Sequence, residues 1–178
     1  MDAAIFRSAQ EPIRKFYKND AKAAFLTLKA KGTADDSTVT CKVETGRGLA
    51  LAGIHSKAGG SGQELCSGDM LLEALTACAG VSMRAAAAVL EIPIKSAEVS
   101  AEGDVDLRGT LGIAEDVPVG FKVIRLRFDL VTDAAQEKID QLLELTERYC
   151  VVFQTLRKSP KTELRFTTIP VERWSSKD

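Results

Sequence analysis

Four cysteines, Cys41, Cys66, Cys78 and Cys150, are the residues whose type could do chemistry in this sequence. A thiol reacts as its thiolate, so its surroundings decide whether a cysteine is a nucleophile or a small apolar filler. Cys78 lies within Leu72-Glu73-Ala74-Leu75-Thr76-Ala77-Cys78-Ala79-Gly80, a mid-helix setting where burial by itself raises a thiol pKa. From these residues alone it is either core packing or a thiol activated from elsewhere. Cys150 follows Thr146-Glu147-Arg148-Tyr149, whose charges bring that segment near the surface. Cys66 directly precedes the same helix as Cys78, where the helix dipole favours a thiolate. Cys41 alternates with Val39 and Val43 and reads as core filler. The single histidine, His55, sits before a glycine-rich stretch and reads as a loop contact rather than a base. No CxxC spacing accompanies that histidine, so neither a metal site nor a cofactor is expected.

The elements that must carry these thiols follow from periodicity. Residues Asp2 to Tyr17 predict an amphipathic helix that Pro12 breaks or restarts. Period-two alternation predicts strands over Ala23 to Lys31, Thr38 to Glu44 and Leu49 to His55, joined by turns at Gly32 to Ser37 and Gly46 to Gly48. Gly59, Gly60, Ser61 and Gly62 make a flexible link to a helix capped by Ser67 and ending at Leu90, before Pro93. That helix is apolar on nearly every side, which predicts that protein surrounds it. Further strands run from Ser96 to Leu107 and through Ile124, Leu126, Phe128 and Leu130. Asp133 and Gln136 predict a reciprocal cap for a helix leading to Cys150. Leu164, Phe166 and Thr168 then read as a last strand. This order predicts one α+β domain over residues 1–178, antiparallel sheets packed around a long buried helix, with residues 1–20 as a helical extension.

Composition narrows the partners. With 45% hydrophobic residues, 28% charged residues and a net charge of −1, the chain is globular and carries no diffuse positive field for nucleic acid or anionic lipid. Neither nucleic acid nor a membrane is therefore expected as a partner. Met1 to Asp20 has no continuous apolar core and does not read as an export signal, which predicts a cytoplasmic protein. In a reducing compartment, catalytic or sensing thiols are the usual reason for reactive cysteines.

Two segments together resemble the OsmC/Ohr family of thiol peroxidases. One is the glycine-rich link at Gly59-Gly60 leading to Met70-Leu71-Leu72-Glu73-Ala74-Leu75-Thr76-Ala77-Cys78. The other is Glu147-Arg148-Tyr149-Cys150 with Gln154-Thr155-Leu156 and Ser159-Pro160. The resemblance implies an OsmC-like intertwined homodimer in which two central helices pack together. It implies that Cys78 attacks an organic hydroperoxide, that Cys150 resolves the resulting sulfenic acid to a disulfide, and that an external dithiol reduces it. It also implies an activating arginine held by a carboxylate, for which Arg47 and Asp69 are the candidates. The sequence departs from the family pattern at Cys66-Ser67-Gly68-Asp69, where an Asn-Pro-Glu run is usual, and at Val151, where many relatives have proline.

Two other outcomes remain open at this level. The same fold can serve as a non-catalytic binding or redox-sensing protein with a hydrophobic interface cavity, and Cys66 rather than Cys150 can be the thiol that pairs with Cys78.

Overall fold

The computed structural model describes residues 3–34, 39–45 and 48–170. Helix α1, Ala3–Asn19, runs unbroken past Pro12. The carbonyl that loses its partner there is on an exposed helix and can turn to water. The strand expected over Ala23 to Lys31 is not formed. Asp20 instead accepts hydrogen bonds from the N–H groups of Lys22 and Ala23, nucleating a short 3₁₀ turn over Ala21–Ala24. Phe25 to Ala30 follows without strand pairing, and β1 begins only at Lys31. Phe25, Leu26 and Leu28 are exposed, so their alternation marks an extended chain whose apolar side this chain leaves uncovered.

Strands β1 (Lys31–Ala34), β2 (Thr40–Thr45) and β3 (Gly48–Gly53) form an antiparallel meander, with Lys31 opposite Glu44 and Thr40 opposite Gly53. Residues 35–38 and 46–47, which include most of the two predicted turns and the first residue of the predicted second strand, lie outside the described residues. The link after β3 is tighter than its composition predicts. A 3₁₀ turn over Ser56–Ala58 is capped by His55, whose Nδ1 accepts from the Lys57 N–H. A Cβ on Gly60 would lie 1.6 Å from the Ile54 carbonyl oxygen, so only glycine fits. The chain then adds β4, Leu65–Cys66, parallel to β3.

Helix α2, Ser67–Leu90, begins with Cys66 at the cap position and no side-chain cap; Ser67 is already inside the helix. Its buried stripe is Leu75, Ala79, Met83, Ala86 and Ala87, the spacing of one helix face. This stripe packs on Val99, Ala101, Ile124, Leu126 and Phe128. Those residues belong to β5 (Ser96–Val105) and β6 (Phe121–Val131), an antiparallel pair with a register shift at Asp104/Val105. Leu107 is not part of β5: Asp106 caps a one-turn helix α3, Leu107–Thr110.

The second helical layer is α4 (Gln136–Tyr149) and α5 (Val151–Arg157). The predicted Asp133/Gln136 cap is absent. Ala135 holds the cap position, while the Gln136 amide donates to Asp140 within the helix. The last predicted strand is also absent, since Leu164 and Phe166 are exposed and unpaired in the described chain.

The expectation that α2 is enclosed on all sides holds for one face only. Val81 is 72% exposed and Val89 43% exposed. The helix is long and apolar enough to cross a membrane by length and composition, yet its buried stripe packs on a sheet and two helices of the same chain.

Candidate functional site

Cys78 projects from the middle of α2 beside Leu75 and Ala79, both fully buried. These two residues fix the height of the thiol against the sheet. One turn further on, Ser82 shares its face, as residues four apart on a helix do.

Cys150 is placed by a break in the helical layer. Leu142 is fully buried and the Thr146 hydroxyl donates to the Leu142 carbonyl at 2.7 Å, which seats α4 against α2. Cys150 ends α4 by donating its N–H to the Thr146 carbonyl at 3.0 Å. Its own carbonyl accepts from Gln154 at 2.9 Å and opens α5. With φ −74° and ψ 105°, this one extended residue turns the chain so that the first N–H groups of α5 face back toward α2. A Gln154 amide bond to the Glu147 carbonyl and an Arg157–Glu147 ion pair hold the corner.

The two thiols pack in one cluster with Leu75 and Ala79, close enough for each to shift the other's ionisation. Burial works to raise the Cys78 pKa, but it is outweighed by the N–H of Val152, the Cys150 thiol, the N–H of Val151 and the Ser82 hydroxyl, so the net shift is downward. Each donor stabilises the thiolate more than the thiol. Burial raises the Cys150 pKa, opposed by the Phe153 N–H and reinforced by the neighbouring Cys78 charge. The pair is thus polarised: Cys78 is the better thiolate and Cys150 the better proton carrier. Both are reduced. A cavity of about 480 Å³ lined by Arg148, Tyr149, Val151, Gln154 and Lys158 reaches Cys150.

The remaining candidates lie elsewhere. Cys66 is twelve positions before Cys78, about 18 Å along the helix axis at ~1.5 Å per residue, and its sulfur lies beside Gly68. Within one chain it is no partner for Cys78. Asp69 is exposed in the first turn of α2, about 14 Å along the axis from Cys78. It cannot touch the thiol and would act on it only through a third group. Arg47, the candidate for that group, lies outside the described residues. Cys41 is half-buried on β2 opposite Ala34 and Ala52.

Ser82 and the N–H groups of Val151 and Val152 were missed by the sequence reading. Ser82 had a signal, a hydroxyl four residues after Cys78 on the same face of an apolar helix. The amides had none, because no glycine or proline marks the helix break at Cys150.

The family model described as OsmC-like protein matches residues 60–165, more than half the chain and both thiol-bearing helices. The chain belongs to the OsmC-like protein family. No functionally curated protein matches it. Among solved structures, this OsmC-like chain is similar to an OsmC-like protein from Mycoplasma pneumoniae, with 13% identity, a TM-score of 0.62, and 75% of this chain and 89% of that one covered. It is also similar to an organic hydroperoxide resistance protein from Elizabethkingia anophelis, with 15% identity, a TM-score of 0.60, and coverage of 76% and 91%. A third is an organic hydroperoxide resistance protein OsmC from Legionella pneumophila, with 20% identity, a TM-score of 0.57, and coverage of 75% and 91%. At these identities the likeness establishes the fold.

Proposed function

We propose that this OsmC-like protein is a thiol-dependent peroxidase that reduces organic hydroperoxides through Cys78 and Cys150. The observation that carries the reading is the packing of Cys78 against Cys150 in one buried cluster, with the Val152 and Val151 amides and Ser82 acting to lower the Cys78 pKa. The Cys78 thiolate attacks the distal peroxide oxygen and breaks the O–O bond. The alkoxide leaves as the alcohol after taking a proton, and Cys78 becomes a sulfenic acid. The Cys150 sulfur then displaces hydroxide, which leaves as water with the Cys150 proton, to form the Cys78–Cys150 disulfide. A dithiol reductant of external origin returns both to thiols.

In this reading the protein works in the cytoplasm as a homodimer, with the exposed Val81 and Val89 face of α2 covered by a second subunit. Arg47 adds a positive charge to the thiolate site, and Asp69 orients that arginine. The decisive test is consumption of cumene hydroperoxide with a dithiol reductant. Turnover in the wild type that vanishes in Cys78→Ser is expected, and a Cys78→Ser protein with full activity sinks the assignment.

A redox-sensing role is the second reading. It is favoured by the lack of any cation acting on either thiol among the described residues. A sensor consumes one equivalent of peroxide and stops even with reductant present, whereas an enzyme continues.

A further inference from the structure

Helix α1 divides into two distinct sides. At 3.6 residues per turn, Ile5, Phe6, Ala9, Ile13, Phe16 and Tyr17 fall on one side, and Arg7, Arg14, Lys15 and Lys18 fall on the other with Glu11. An amphipathic helix of a globular domain ordinarily turns its apolar side to the core. Here Ile5, Ile13, Phe16 and Tyr17 are all exposed.

The helix is tied to the body by Arg7 of its basic side, with Phe6 half-buried beside it. Arg7 donates to the Ala88 carbonyl at 3.3 Å and pairs with Glu91 at 2.8 Å, at the far end of α2. Between Phe6 and Arg7 on one helix and Val81, Arg84 and Ala88 on the other, a single chain leaves a cavity of about 1200 Å³. The segment also lies outside residues 60–165, the span that the family model matches.

Charge selects the occupant. Helix α1 carries four cations against one carboxylate, a net of +3, and the rest of the chain carries −4. The whole-chain value of −1, from which no membrane partner was expected, averages these two regions. A basic face opposite a face of Ile, Phe and Tyr is the pattern of a helix that lies in a membrane interface, with aromatic rings at headgroup depth and lysine stems snorkelling outward.

We propose that α1 is an interfacial anchor that seats this protein on membranes rich in anionic phospholipid. The apolar side enters the headgroup boundary while Arg14, Lys15 and Lys18 meet lipid phosphates, and Arg7 ties the anchored helix to α2. This proposal is independent of the thiol chemistry, which is assayed in solution with a water-soluble peroxide.

Flotation of the full chain with vesicles tests it. The protein should float with vesicles of phosphatidylcholine containing one-third phosphatidylglycerol, and far less with phosphatidylcholine alone. High salt should weaken that binding. Lys15→Ala with Lys18→Ala should cut partitioning about fivefold per charge, roughly twenty-fivefold together. Ile13→Glu with Phe16→Glu should abolish it, with the circular dichroism spectrum and the mass by light scattering unchanged.

Equal flotation with and without phosphatidylglycerol, or unchanged flotation of the Glu variant, overturns the proposal. So does a wild type that never floats. Conversion of a dimer to a monomer by Ile13→Glu with Phe16→Glu assigns the face to a second copy of the chain and overturns it as well.

Discussion

Two thiols ride on helix α2 and differ in what reaches them. Cys66 stands at the start, where the helix's own dipole should favour a thiolate. Cys78 stands in the middle, where burial opposes one. The Cys78 pKa is nevertheless lowered, by the amides of Val152 and Val151 from a different helix, with Cys150 and Ser82 adding to them. The amides of a helix's first turn point away from its body, so they act on groups beyond that end, and the turn that points at Cys78 belongs to α5. The start of α2 is exposed at Ser67 and Asp69, whereas its middle is held by side chains with no exposure at all. The lowered thiol sits where buried packing holds the two sulfurs and their donors close together.

The largest effect separating the two ends is catalytic. Cys78→Ser should abolish peroxide turnover, a loss of at least about a thousandfold if the nucleophile is essential, while Cys66→Ser should stay within about twofold of wild type. Cys150→Ser should leave a Cys78 sulfenic acid that dimedone traps. Peptide mapping after one equivalent of peroxide should find the Cys78–Cys150 disulfide in wild type and in Cys66→Ser alike. A Cys66–Cys78 disulfide would reverse the comparison.

Next in size is packing. Leu75 is fully buried under Cys78 and Leu71, one turn earlier, is 38% exposed. Truncation of Leu75 to Ala should cost about 2–5 kcal/mol in urea unfolding, through lost burial and the cavity left behind. Leu71→Ala should cost under about 1 kcal/mol. Equal losses would mean that the start of α2 is as firmly packed as its middle, as it would be if a second subunit covers Leu71.

How much of this was legible beforehand depends on the range of the interaction. Helix α2, the alternation of Ala97, Val99 and Ala101, and that of Ile124, Leu126 and Phe128 are local patterns, and each predicted element is present. The strands predicted from Phe25, Leu26 and Leu28 and from Leu164 and Phe166 failed because alternation specifies an extended chain, while a strand also needs a neighbour. Cys78 and Cys150 were singled out through the two-segment resemblance, and the fold packs them into one cluster. What activates Cys78 was not legible. Backbone amides leave no mark in residue type, and the bend that aims them occurs at Cys150 without glycine or proline. His55 was readable as a loop contact and caps a turn. Asp69 was named through the resemblance, as the carboxylate that would hold an activating arginine, and Arg47, the arginine in question, lies outside the described residues.

The opposed shifts of the two thiols predict a pH signature. Because the native pKa of Cys78 lies below its unfolded value, its ionisation contributes stability that is present above the ordinary thiol value of about 8.5 and lost as pH falls through the native pKa. Cys150, with its native pKa raised, contributes stability that is present below that value and lost as pH rises through its native pKa. The stability difference between wild type and Cys78→Ser with Cys150→Ser should therefore rise toward mildly alkaline pH and fall beyond it, read as urea midpoints under reducing conditions. A difference that is flat with pH would mean that the pair is not polarised.

The smallest change isolates one donor. Proline at position 151 removes only the Val151 N–H, which the first position of a helix can spare. The φ and ψ of Cys150, −74° and 105°, are in the extended region that a residue preceding proline requires. Val151→Pro should thus fold normally and keep the corner between α4 and α5. Its Cys78 should be alkylated more slowly near neutral pH, with the rate profile moved toward alkaline pH, because one of the donors that lowers the pKa is gone while the Val152 N–H remains. An unmoved profile would assign the activation to Val152, Ser82 and Cys150 alone. A profile moved toward acid would show that the Val151 amide does not stabilise the thiolate, and the account of α5 as the element that activates Cys78 would fail with it.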